Sequence, residues 1–176
     1  MPTPAVYSVN VPVPPAVRDL ARELRPALTS FERIRPARSR TLVLKRLPAA
    51  NRREYLQDAR RARAALDGAP AFEAEITGLD VFREPPTGTA PVAYLAVESP
   101  GLSQLHQRLV DEFGAIEGLE GQGTYTPHVT LARDGPATAA DSLLEREIEP
   151  VRFTVDTLEL YDSDHSERVE SISLPA

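Results

Sequence analysis

Three histidines, His106, His128 and His165, are the side chains of this chain best suited to passing a proton near neutral pH, and no cysteine shares that work. Their settings differ. His106 stands four residues after Leu102 inside an apolar helical stripe, the position of a packed core histidine. His165 lies in Asp162-Ser163-Asp164-His165-Ser166, a polar turn in which carboxylates are present but no second histidine stands at metal-ligand spacing. His128 belongs to Thr126-Pro127-His128-Val129-Thr130-Leu131, where strand alternation sends His128 and Thr130 to one face and Val129 and Leu131 to the other. An imidazole beside a hydroxyl can pass a proton while the hydroxyl holds a phosphate oxygen, which is what cleavage or closure of a phosphodiester requires.

The elements that must hold these groups can be read from periodicity. Tyr7, Val9, Val11 and Val13 alternate with Ser8, Asn10 and Pro12, as in a half-buried strand. Pro14 and Pro15 open a helix carrying Val17, Leu20, Leu24 and Leu28. Thr41 to Leu47 reads as a strand with Leu42 and Leu44 on one face and Ser39, Thr41 and Val43 on the other. A helix follows from about Asn51 to Leu66, with Arg52, Arg53, Arg60 and Arg63 as a basic stripe beside its apolar face.

Phe72 to Phe82 and Val92 to Val97 form a hairpin through Glu84-Pro85-Pro86-Thr87-Gly88. Pro100 and Gly101 start a helix that Gly114 ends, and the glycine-rich link Gly118 to Gly123 leads to the strand Thr126 to Leu131. A short helix is expected near Asp141 to Ile148. The last strands are Arg152 to Tyr161, where a switch of apolar phase suggests a bulge, and Arg168 to Leu174. Strand pairs mixed with helices, without regular strand–helix alternation, predict an α+β fold.

Composition narrows the classes. The 176 residues, 41% of them hydrophobic, suit a single domain with its own core. Absence of cysteine excludes disulfides, zinc–thiolate sites and cysteine nucleophiles. No apolar run is long enough for a signal-peptide core or a membrane span, so a soluble cytoplasmic protein without membrane contact is expected. A net charge of -6 argues against general coating of duplex nucleic acid and confines any such contact to a local basic patch. Lys45 is the one lysine among 20 basic residues, the rest being arginine, whose planar fork suits phosphate.

The run Thr126-Pro127-His128-Val129-Thr130-Leu131-Ala132-Arg133 resembles the second signature of the two-histidine (2H) phosphoesterase superfamily, in its 2'-5' RNA ligase-like branch. The resemblance extends over nearly the whole chain. It implies a bilobal fold over residues 1–176, with two antiparallel-rich sheets facing a central cleft, helices outside, and one His-x-Thr motif from each pseudo-symmetric lobe. It also implies action on 2',3'-cyclic phosphates or 2'-5' linkages at RNA ends, with neither metal nor cofactor, by a monomer. The first motif departs from the pattern, since it reads Ser39-Arg40-Thr41-Leu42: the threonine is present and the histidine is not.

Carried over residue by residue, the resemblance makes His128 a general acid or base, Thr130 and Thr41 donors to phosphate oxygens, Arg133 a substrate ligand and Ser39 a degenerate partner; Arg40, beside that position, is a second candidate substrate ligand able to stabilise phosphoryl charge. Arg35 and Arg38 are further arginines near that position. Serine does not titrate near pH 7, and loss of a positioned acid or base costs about 10²–10⁴ in rate. Three functions follow as expectations: a weakened RNA-end phosphodiesterase or ligase, a non-catalytic module that binds nucleotides or RNA ends, and a small-molecule esterase or scaffold unrelated to phosphate.

Overall fold

Strand β1 (Tyr7–Val11) is buried along its whole length, Val9 and Val11 in the apolar core and Ser8 and Asn10 toward the opposite face, where Ser8 Oγ donates to Asn10 Oδ1 at 2.8 Å. A strand buried on both faces yet polar on one of them is lining something other than hydrocarbon. The computed structural model describes residues 6–85 and 88–175, so Pro86 and Thr87 of the expected hairpin turn, and the side chain of Arg38, lie outside the described residues.

The helices among the described residues follow from local signals. Helix α1 (Pro15–Leu24) has proline in its first turn, where the missing N–H costs nothing, and buries Val17, Ala21 and Leu24. Helix α2 (Arg52–Ala65) is capped by Asn51, whose side chain accepts from Glu54 N, while Glu54 Oε1 accepts from Ala50 N. Helix α3 (Pro100–Phe113) is capped by Ser99 and turns Leu102, Leu105, His106 and Leu109 inward. Helix α4 (Ala137–Leu144) begins after Pro136, four residues earlier than the sequence suggested, because the proline sets where the helix starts. Among the described residues, no helix is long and apolar enough to cross a membrane.

The remaining strands are β2 (Arg33–Ile34), β3 (Leu42–Arg46), β4 (Phe72–Phe82), β5 (Val92–Glu98), β6 (His128–Arg133), β7 (Val151–Val155), β8 (Thr157–Asp162) and β9 (Glu167–Ser173). They form one sheet in the order β7-β4-β5-β6-β3-β1-β8-β9, every neighbouring pair antiparallel, with β2 added beside β6. The two sheets expected from the sequence are the two four-stranded halves of this one. They meet at the bridge between Leu42 of β3 and Val129 of β6. Helix α3 packs on β3, β4 and α2, and α4 packs on β4.

The stretch expected to be one bulged strand, Arg152 to Tyr161, is two strands. β7 pairs with β4 at one edge, and β8 pairs with β1 and β9 in the other half. The chain changes partner at Asp156, so the switch of apolar phase marks a crossing between halves and no bulge.

At the seam, Ile34 pairs with Ala132 and Leu42 with Val129, so eight steps along one side face three along the other. The surplus loops out of the sheet as residues 36–41, including a short 3₁₀ turn at Ala37–Ser39. Before it, Arg35 N still donates to Leu131 O at 2.8 Å; at its start, Pro36 has no N–H to donate. Ser39 and Thr41 lie on this excursion, just before the bridge of Leu42 to Val129.

Candidate active site

Three open hollows among the described residues adjoin along the seam. The first, about 420 Å³, is lined by Thr130, Arg35, Arg133 and Gly88 among others. The second, also about 420 Å³, holds Thr41, Ser39, Ser8, Asn10, Arg35 and Arg46. The third, about 260 Å³, holds His128, Phe82, Tyr125, Leu119, Arg46 and Arg133. Each pair of hollows shares one arginine: Arg35 the first two, Arg133 the first and third, Arg46 the last two. They adjoin as compartments of one groove, each pair bounded in common by an arginine.

Alternation explains which side chains reach it. Leu42, Leu44, Val129 and Leu131 are fully buried in the core, so Thr41, Val43, His128 and Thr130 turn to the opposite face. Thr130 is only 8% exposed, the floor of its compartment.

His128 is half-buried at the start of β6. Its Nδ1 lies 2.7 Å from Thr126 O. A carbonyl only accepts, so the neutral ring carries its proton on Nδ1 and keeps a lone pair on Nε2. Phe82 and Tyr94, stacked on each other at 4.1 Å, present themselves edge-on to the imidazole, with centroids 5.0 and 5.3 Å away. Burial pushes the His128 pKa below the ordinary 6.5; the bond to Thr126 opposes this, and the positive charges of Arg46, Arg133 and Arg35 add to it. The side chain is a neutral base at pH 7.

The arginines crowd one another. Burial and then the charge of Arg133 hold the Arg35 pKa below its usual value. Among the described residues, neither Arg35 nor Arg46 has a carboxylate within salt-bridge distance. Arg133 directs Nη1 toward Thr89 O at 3.3 Å. Positive charge converging on a concave surface of a net-negative protein suits an anion.

Of the residues singled out from sequence, His128, Thr130, Thr41, Ser39 and Arg133 all line the groove. Arg40 lines none of its three compartments. It shares the core-side phase of Leu42, its Nε is buried without a hydrogen bond, and burial followed by the charges of Arg25 and Arg22 lowers its pKa. Arg40 thus lies apart from the groove lining, toward Arg22 and Arg25. Sequence reasoning passed over Arg46, Tyr125, Phe82 and Tyr94. Strict alternation puts Arg46 on the face of Leu42 and Leu44; the irregular register with β1, where Asn10 pairs with Val43 and Val9 with Lys45, switches the phase and brings Arg46 to the groove.

His106 is 2% exposed and holds the groove wall. Nδ1 bonds Leu44 O at 2.7 Å, Nε2 accepts from Gly121 N at 3.0 Å, and the ring stacks on Tyr125 at 3.8 Å, whose hydroxyl donates to Val43 O at 2.7 Å. The glycine-rich link is likewise anchored. Glu120 enters the protein to meet Lys45 Nζ at 2.6 Å and accepts from the backbone N–H groups of Arg46 and Ile116. His165 sits in a polar turn as expected, with Nδ1 2.8 Å from Asp162 Oδ2. Among the described residues, no group of three or more histidine, aspartate or glutamate side chains is arranged to hold a metal ion.

The sequence matches the 2'-5' RNA ligase superfamily over residues 12–167. The chain belongs to that superfamily. Its fold is shared by several solved structures. Escherichia coli LigT complexed with 3'-AMP superposes with a TM-score of 0.72 at 17% identity, over 99% of this chain and 100% of that one. The protein TT0787 of Thermus thermophilus gives 0.68 at 20% identity, over 96% and 97%. Kluyveromyces marxianus Usb1 gives 0.60 at 13%, over 99% and 100%. No curated protein matches the chain by sequence. At these identities the structural likeness speaks for the fold.

Proposed function

We propose that this superfamily member is a phosphoesterase for RNA ends, opening 2',3'-cyclic phosphates or cleaving 2'-5' linkages, with its rate reduced by serine in the first motif. The observation that carries the reading is the bond from His128 to Thr126 O, which leaves Nε2 as the basic nitrogen in a groove lined by Arg35, Arg46 and Arg133. LigT has been crystallised with 3'-AMP, ATP, NADP+ and phosphate, ligands of the class proposed here.

In hydrolysis of a cyclic phosphate, His128 Nε2 takes a proton from water as its oxygen bonds to phosphorus. The hydroxyls of Thr41 and Thr130 donate to the non-bridging oxygens, and the arginines offset the charge that gathers there. The P–O bond to one ribose oxygen breaks, and that oxygen must be protonated. The test is His128→Ala, assayed on a 2',3'-cyclic nucleotide with fold checked by circular dichroism: turnover is lost and fold retained. Turnover at the parent rate in that variant overturns the assignment.

One observation favours a second reading, a non-catalytic binder of nucleotides or RNA ends. The first-motif position holds a hydroxyl pair, Ser39 Oγ and Ser166 Oγ 3.5 Å apart. If the parent binds 3'-AMP without turning over a cyclic nucleotide and Ser39→His creates turnover, the binding reading is the correct one.

A further inference from the structure

The second compartment of the groove holds more hydrogen-bond donors than the reacting phosphate can use. Ser39 and Thr41 enter it from the chain beside the seam, while Ser8 and Asn10 of β1 and Tyr161 of β8 line it farther out. Strand β1 stands two places from β6 in the sheet, and β8 three. At about 4.8 Å per place, the backbone at Asn10 is roughly 10 Å from the strand that carries His128 and Thr130. With hydrogen bonds of about 3 Å, one phosphate does not bridge that span.

Two of these side chains are buried with a donor unused. Asn10 is 2% exposed; its Oδ1 accepts from Ser8 Oγ at 2.8 Å, and its Nδ2 has no hydrogen-bond partner among the described residues. Tyr161, opposite Ser8 across the β1–β8 pair, is 9% exposed, and its hydroxyl has none either. Buried polar groups are ordinarily paired, so donors left over on the wall of a hollow mark where a ligand belongs.

Charge decides the kind of ligand. Arg35 and Arg46 both line the compartment, and Arg35 Nη1 donates to Ser39 O at 3.4 Å, which holds its guanidinium beside the hydroxyls of Ser39 and Ser166. Among the described residues that line it there is no aspartate or glutamate. Glu159, opposite Asn10, lies outside the lining and faces Arg168 at 3.9 Å. Amide, phenol and hydroxyl donors beside two guanidinium groups suit the oxygens of a phosphate.

We propose that this compartment is a second phosphate subsite, which takes the phosphate on the 5' oxygen of the nucleotide whose 3' end lies at His128. The inference rests on the RNA-end reading of the groove and adds to it that the preferred ligand carries two phosphates, one on either side of Arg35. Arg35 lines both the Thr130 compartment and this one, so a single guanidinium serves both groups. The 5' phosphate is either a terminal monoester or the link to the preceding nucleotide, and the donors named here suit both.

The experiment titrates the parent, Tyr161→Phe and Asn10→Asp by calorimetry with 3'-AMP, adenosine 3',5'-bisphosphate and the 3'-phosphorylated dinucleotide of adenosine. The parent is expected to bind the bisphosphate about tenfold or more tightly than 3'-AMP, the worth of one or more hydrogen bonds to a charged group. Tyr161→Phe removes a donor and keeps the ring. Asn10→Asp keeps the acceptor for Ser8 Oγ and puts a negative charge where the donor was. Both variants reduce the preference for a second phosphate, Asn10→Asp the more. A dinucleotide bound as tightly as the bisphosphate supports the subsite with the linking phosphate as its ligand, and a bisphosphate that outbinds the dinucleotide supports it with a terminal one. If the parent binds neither two-phosphate ligand more tightly than 3'-AMP, or both variants keep the preference, the subsite falls and the reading of the groove stands. A parent that binds none of the three ligands overturns that reading and the subsite together.

Discussion

The carbonyl of Thr126 fixes the tautomer of His128 from 2.7 Å, so the nitrogen available for chemistry is decided by backbone two residues upstream. Pro127 lies between them. The base is thus held by its own strand entrance.

The pH dependence follows from the shift and its sign. Burial and the arginines hold the His128 pKa below 6.5, so the ring is neutral at and above that pH and becomes protonated as pH falls through its lowered value. The acid limb of kcat/KM is therefore expected below pH 6.5. Arg46→Ala removes one of the charges responsible and moves that limb upward toward 6.5, read from the pH–rate profile.

Thr130→Val keeps the shape of a buried side chain and removes its hydroxyl. Loss of one donor to a developing oxyanion costs about 10²–10³ in kcat. We expect a drop of that size on a cyclic nucleotide, with the thermal midpoint near that of the parent, and a similar result for Thr41→Val.

Gly88 has φ of +78° and lies against the end of Arg133, whose guanidinium a Cβ would strike. Gly88→Ala therefore displaces that guanidinium as well as straining the turn. The expected outcome is weaker binding of 3'-AMP by isothermal titration calorimetry, with kcat less affected than KM.

Lys45 and Glu120 are an almost fully buried ion pair, with side chains 2% and 1% exposed, whose remaining capacity is met by backbone groups. Removing one partner of such a pair leaves the other charged and buried, at a cost of about 3–5 kcal/mol. Glu120→Ala should lower unfolding stability by that order in denaturant titration. It also frees Gly118 and Leu119, which wall the His128 compartment, so 3'-AMP binding should weaken in the same variant.

The sequence carried a good deal of this. Period-2 alternation around His128 and Thr130 and the helix starts near Asn51 and at Pro100 are local signals, and they describe what the structure contains. What stayed hidden depends on partners distant in sequence. The two residues of β2 have no periodicity to read, the break at Asp156 looks like a bulge until the partners of β7 and β8 are known, and the approach of Arg35, Arg46 and Arg133 to one another is a property of the seam.

The mismatch at that seam makes the groove a matter of chain length more than of chemistry. Exchanging side chains among residues 36–40 leaves the excursion in place, because the surplus backbone still has nowhere to go within the ladder. Deleting residues there draws Ile34 and Leu42 toward a common register until β2 and β3 fuse into one ordinary strand. The groove would then zip shut over Thr130, and a protein of this sequence family would keep its stability while losing the door to its interior arginines.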